Sequence, residues 1–157
     1  MENEQIKQKF PVGMILILVL IGWGIVGLLL GMFKVPPLFQ LGSILISGAG
    51  AIIVDLVMIG ISASIFYGIV KRLEWARKLA IGWSIVSILL PLVNFVSFLG
   101  NKTMYDSYYQ KILSPEAYSL MTPTAIAGIL IPTLVLSSII NLVIIIYLAR
   151  KKSFFVN

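Results

Sequence analysis

The sequence predicts an all-α, polytopic membrane protein: a transmembrane four-helix bundle with both termini on the cytoplasmic side. Three observations predict it. Hydrophobic residues make up 59% of the 157 positions and charged residues only 11%, against roughly 45–50% and 25% in an ordinary soluble domain. The apolar residues fall into long runs rather than the short alternating ones of an outer-membrane barrel. The twelve Lys and Arg residues gather in small clusters between those runs, as membrane flanks do.

The first span, residues 11–33, is long enough for a hydrocarbon core of about 30 Å, which needs about 20 apolar residues. It lacks a convincing small-residue cleavage site, so it reads as an uncleaved span rather than a signal peptide. Pro36-Pro37 then stops the helix, because neither proline can extend it. The second run, residues 41–70, would measure about 45 Å as a straight helix. It is expected to tilt, to project outward, or to break near Gly48 and Gly50.

A tight basic turn, Lys71 to Lys78, leads into the third span, residues 79–99. The polar segment 100–122 that follows carries Tyr105, Tyr108, Tyr109 and Tyr118, whose amphipathic rings suit a bilayer interface. Within it, Ser114-Pro115-Glu116 reads as cap, first helical residue and early acid, so a short interfacial helix is expected there. Thr122-Pro123 repeats the signal and opens the fourth span, residues 123–149. The whole chain is expected to form one transmembrane domain.

Orientation follows from counting cations. Nine lie at the amino end, the 71–78 turn and the tail (Lys7, Lys9, Lys71, Arg72, Arg77, Lys78, Arg150, Lys151, Lys152), against three (Lys34, Lys102, Lys111) on the other side. The positive-inside rule places the larger set, and both termini, in the cytoplasm of a cell-membrane protein. The same clustering argues against nucleic acid as the partner of the +6 net charge.

Three stretches together resemble a widespread group of small prokaryotic four-span membrane proteins, largely without assigned function. They are FPVGMILILVLIGWGIVGLL at 10–29, YGIVKRLEWARKLAI at 67–81 and NLVIIIYLARKKSFF at 141–155. In that group a proline-led first span, a basic turn ending in Trp-Ala-Arg and a basic tail recur in this order. The resemblance implies a four-helix membrane domain and no activity; the long outer segment departs from it.

The chain has no Cys and no His, which excludes disulfides, thiol redox chemistry, Cys/His zinc sites, bis-His haem and Ser-His-Asp hydrolysis. No cofactor and no metal site are expected, and an enzyme is the least supported class.

Asp55 is the one acid inside a predicted span, where a charge costs about 2.5 kcal/mol or more near mid-bilayer. Polar stripes on the third span (Ser84, Ser87, Pro91, Asn94) and the fourth (Thr133, Ser137, Asn141) could meet it. Asp55, Ser62, Ser87, Asn94, Ser137 and Asn141 thus form a candidate intramembrane polar site. Two readings stay open: a proton- or cation-coupled site, or a neutral, hydrogen-bonded Asp55 that joins helices or lies near the outer headgroups.

Small residues recur at helical spacing as Gly60, Ser64 and Gly68 on the second span and as Gly27 and Gly31 on the first. Such spacing permits close helix approach in lipid, either inside the bundle or with a neighbouring subunit. Lys71, Arg72, Trp75, Arg77 and Lys78 are candidate contacts to anionic headgroups. Asn101-Lys102-Thr103 matches the N-glycosylation pattern on the expected outer side.

Function follows by elimination: a non-enzymatic accessory or structural subunit of a larger membrane assembly. Its expected partners are membrane lipid and either other membrane subunits or copies of itself. The alternative is an oligomeric proton- or cation-coupled transporter or channel centred on Asp55.

Overall fold

The computed structural model describes residues 9–33, 38–101, 106, 109–110, 113–120 and 122–155. It is mostly helical, with four helices long and apolar enough to cross a membrane. These are α1 (Val12–Met32), α2 (Ala49–Val70), α3 (Glu74–Gly100) and α5 (Pro123–Arg150). A short α4 (Pro115–Ser119) precedes α5. Large side chains face outward on all four long helices, including Trp23 (78% exposed), Leu99 (68%) and Val143 (60%). A soluble monomer rarely exposes apolar patches beyond a few hundred Å², so these surfaces belong in lipid.

Helix α1 starts where Pro11 ends extended backbone, its carbonyl accepting from the Met14 and Ile15 amides. It packs against α2, α2 against α3, and α3 against α5. The core sits at the end of the bundle where the start of α1, the segment after α5 and the α2–α3 turn converge. There Met14, Ile65, Ile69, Ala76 and Leu148 are buried with Phe154 and Phe155. Those two phenylalanines come from the tail, which turns back through a 3-10 turn (Lys152–Phe154) after the basic cluster.

The turn itself is held by backbone. The Arg72 amide donates to the Ile69 carbonyl and the Leu73 amide to the Gly68 carbonyl, with Arg72 at φ +59°. That is the hydrogen-bond pattern of a left-handed helix cap, a position that usually belongs to glycine. Helices α2 and α3 meet at once beyond it, because Gly68 has no Cβ: one placed there would overlap Ala76 and come within 3.1 Å of the Trp75 ring.

The second span departs from expectation in its first eight residues. They are not helical: residues 38–47 form an antiparallel hairpin, β1 (Leu38–Leu41) paired with β2 (Ile44–Ser47), with Leu41 opposite Ile44. Gly42 at φ +58° leads a two-residue loop, which takes the type II′ form that matches strand twist. Gly48, at φ +63°, then turns the chain into α2. The expected break falls at this glycine, and the 45 Å helix becomes a span of about 33 Å capped by a hairpin.

The hairpin packs on α2 and α3 at the end away from the termini. α4 forms where Ser114-Pro115-Glu116 predicts, with Ser114 Oγ accepting from the Ala117 amide at 3.3 Å.

Candidate functional site

Each of the four spans contributes to a cavity of about 360 Å³ in the middle of the bundle. Its walls are mostly aliphatic, from Ile17 and Leu20 on α1 to Ile140 and Ile144 on α5, with Trp83 from α3. Four polar side chains enter it: Ser62 from α2, Ser84 and Ser87 from α3, and Asn141 from α5. Ser62 and Ser84 are 8% and 6% exposed. The hydroxyls of Ser62, Ser84 and Ser87 make no hydrogen bond to a described residue, and none is sealed away without a partner. They open into the cavity.

Asn141 donates through Nδ2 to the Ser137 carbonyl at 2.9 Å and to Ser137 Oγ at 3.5 Å. Its carbonyl oxygen is thereby left as an acceptor within the cavity lining.

A second cavity of about 280 Å³ lies further along the α3–α5 seam, toward the hairpin end. Gln40, Pro91, Asn94, Tyr109, Thr133 and Ser137 supply its polar and proline lining. Here Asn94 has a structural task. Its Oδ1 accepts from the Gly42 amide at 2.7 Å and its Nδ2 donates to the Gln40 carbonyl at 3.2 Å, so one amide side chain grips the chain where β1 enters the hairpin loop. Gln40 Nε2 also donates to the Gly42 carbonyl at 3.1 Å. An isolated two-stranded hairpin is marginal in stability, and this clamp fixes it to α3.

The polar stripes of the third and fourth spans line the two cavities together. Ser84 and Ser87 join Asn141 in one cavity, and Pro91 and Asn94 join Thr133 and Ser137 in the other. Asp55 lines neither. It is half-buried on the same face of α2 as Ala51 and Ser62, about two turns toward the hairpin from Ser62, and it makes no hydrogen bond or ion pair to a described residue. Asp55 and its proposed hydrogen-bonding partners thus separate into three places. Thr133 Oγ1 donates to the Ile129 carbonyl at 2.8 Å, so part of the α5 stripe is satisfied within its own helix.

The small-residue stripe on α2 is likewise divided. Gly68 is buried against α3, whereas nothing lies within 4 Å of a Cβ built at Gly60, and Ser64 is exposed with its hydroxyl donating to the Gly60 carbonyl at 2.8 Å. Gly27 and Gly31 on α1 also face open space.

At the basic turn the five candidate headgroup contacts split by role. The Arg72 guanidinium lies over the rings of Phe10 (5.6 Å) and Phe154 (4.8 Å), which pack edge to face at 5.1 Å. Arg77 is bound to Glu74, with Nε donating to Oε2 at 2.8 Å and a second bond alongside. Trp75 is half-exposed and rests on Gly68. Lys71, whose ammonium lies 6.0 Å from the Tyr67 ring centre, and Lys78 are exposed, and with Arg150, Lys151 and Lys152 they form an exposed basic surface.

No family model, no curated protein and no solved structure matches this chain. Among the described residues no three acidic side chains gather as metal ligands would. Tyr105, Tyr108, Lys102 and Thr103 lie outside the described residues.

Three features escaped sequence reasoning. The hairpin was signalled by Gly42-Ser43 between two four-residue runs, a II′ loop pattern. The aromatic clasp was signalled by Phe154-Phe155 following the basic cluster. The third, Ser84 as a cavity residue, sat in the α3 stripe but outside the proposed site.

Proposed function

We propose that the chain is a non-catalytic helical subunit of a larger membrane assembly, docking laterally against a transmembrane helix of a second protein. The observation that carries the reading is the divided stripe on α2. At Gly68 the stripe is filled by α3; at Ser64 and Gly60, one and two turns away, the same close-packing surface has no neighbour among the described residues. Small residues at this spacing let a foreign helix backbone approach as closely as α3 does at Gly68. In this reading the closed, basic end faces the cytoplasm of a cell-membrane protein, and the hairpin and α4 lie at the outer interface.

The alternative is proton- or cation-coupled transport in an oligomer centred on Asp55. The unpartnered carboxylate in an apolar span favours it. The separation of Asp55 from both cavities weighs against it, as does the lack of charged groups in their linings.

Extraction in mild detergent followed by native mass determination tests the choice. A subunit co-migrates with a stoichiometric foreign partner, and Gly60→Leu or Ser64→Leu releases it while leaving the chain folded. A homo-oligomer that carries proton-coupled flux in liposomes, abolished by Asp55→Asn, would replace this reading with the alternative.

A further inference from the structure

The central cavity and the α1–α5 seam belong together. Backbone approach between α1 and α5 is slight compared with the three packed pairs of helices. Along this seam runs a groove of about 290 Å³ lined by Leu16, Ile17, Leu20, Ile140, Val143 and Ile144 among others, without a polar side chain except the Tyr147 phenol at its basic end. Ile17, Leu20, Ile140 and Ile144 also wall the central cavity. The two spaces are therefore back to back, separated by four aliphatic side chains from two loosely packed helices.

From these facts we infer that the bundle binds a neutral membrane amphiphile, with its hydroxyl- or carbonyl-bearing head among Ser62, Ser84, Ser87 and Asn141 and its alkyl tail leaving through the α1–α5 seam. The chemistry of the lining selects the class. Three hydroxyls and one amide oxygen supply both donors and acceptors, and two of the serines are more than nine-tenths buried yet unpartnered.

These hydroxyls reach the cavity without a protein partner, so an occupant that bonds to them is favoured over an apolar one that leaves them unpaired. No cation or carboxylate lines the space, and a phosphate or free carboxylate head would have to shed its hydration without a counter-charge. The volume lies at the small end of ligand pockets, about 300–1,000 Å³. Eleven of the fifteen lining residues carry no side-chain hydroxyl or amide, which suits an amphiphile better than a water cluster, since each water needs two to four polar partners. The groove that shares this wall is apolar, so the ligand arrives from the bilayer by displacing those aliphatic side chains.

The test uses the full chain in nanodiscs and a monoacylglycerol bearing a diazirine in its acyl chain. Photolabelling followed by peptide mapping is expected to be saturable, to mark α1 and α5 around Leu20 and Ile140, and to be competed by unlabelled monoacylglycerol. A lysophosphatidylglycerol of the same chain length should not compete. Ser62→Ala combined with Ser84→Ala, a nearly isosteric change, should weaken saturable labelling roughly tenfold, the loss of two hydrogen bonds.

Labelling that is unsaturable and spread over outward positions such as Trp23, Val57 and Val93 would overturn the inference, leaving only annular lipid. Equal competition by the anionic analogue would overturn the neutral head. The wild-type map and its competition stand whether or not the double variant folds.

Discussion

Helix α2 meets two different environments along one face. At Gly68 the α3 backbone is so close that even a methyl group would overlap Ala76; two turns away, at Gly60, a Cβ would touch nothing. The end near Gly68 is closed by buried Met14, Ile69, Leu148, Phe154 and Phe155, with Arg72 stacked on two phenylalanine rings. Beyond it the middle of the bundle holds one cavity, and the opposite end holds a second and a hairpin fastened by one asparagine. The difference teaches that rigidity and opportunity are segregated: close packing anchors the four helices at one end, and the space left where they diverge is where a ligand or partner can be received.

The contrast breaks most readily at the glycines. Gly68→Ala should destabilise the bundle by about 1–3 kcal/mol, the usual cost of overpacking, whereas Gly60→Ala should be neutral or stabilising by up to about 1 kcal/mol through helix propensity. Thermal unfolding of the two variants in detergent measures both. Equal effects would mean that the closed end is no tighter than the open one.

Asn94→Ala removes both clamps on the hairpin loop. Each bond contributes about 1 kcal/mol and leaves a backbone group to find another partner. The expected result is local: amide exchange at residues 38–47 accelerates while that of residues 65–70 is unchanged. A matching acceleration at the closed end would contradict the segregation.

Arg72 sharpens the account of the closed end, because its side chain and its backbone pull in opposite directions. Arg72→Ala loses the stacking, about 0.5–2 kcal/mol, and keeps the left-handed backbone that costs a non-glycine residue about 1–2 kcal/mol. Arg72→Gly loses the same stacking but relieves that strain. The glycine variant should therefore unfold at a higher temperature than the alanine variant.

The smallest effect is expected at α4. The Glu116 carboxyl is held below its ordinary pKa first by its own backbone amide and then by the Ser114 hydroxyl. A depressed carboxylate pKa stabilises the structure above the unfolded value, and that contribution is lost as pH falls through the folded one. Amide exchange in residues 115–119 should quicken as pH falls below the ordinary glutamate range, after correction for the intrinsic rate. No change at the α2–α3 turn should accompany it.

Much of this architecture was legible because bilayer physics leaves a simple trace. Apolar runs of about 20 residues announced the spans, the basic turn separated the second from the third, and Ser114-Pro115-Glu116 announced α4; Pro36-Pro37 lies outside the described residues. Helical spacing showed the α3 and α5 stripes, but it pointed them at Asp55, which lines neither of the cavities they border. What the sequence hid depended on tertiary divergence. Gly60, Ser64 and Gly68 are equivalent at i, i+4 and i+8, and only the angle between α2 and α3 decides which is covered. Asp55 shares a face with Ser62, but about 10 Å of helix rise separates them. The hairpin was hidden by composition: its strands are as apolar as a span, and the Gly42-Ser43 loop is a short signal within a 30-residue run.

Four helices are long and apolar enough to cross a membrane, and the proposed orientation puts the closed, basic end inside and the hairpin-bearing end outside. Since the chain has no Cys, Ser43→Cys, Ser119→Cys and Ser153→Cys each create a single labelling site at an exposed position. With a membrane-impermeant maleimide on intact cells, the first two variants should label at once and the third only after permeabilisation. Labelling of the Ser43 and Ser153 variants from the same side would contradict the account.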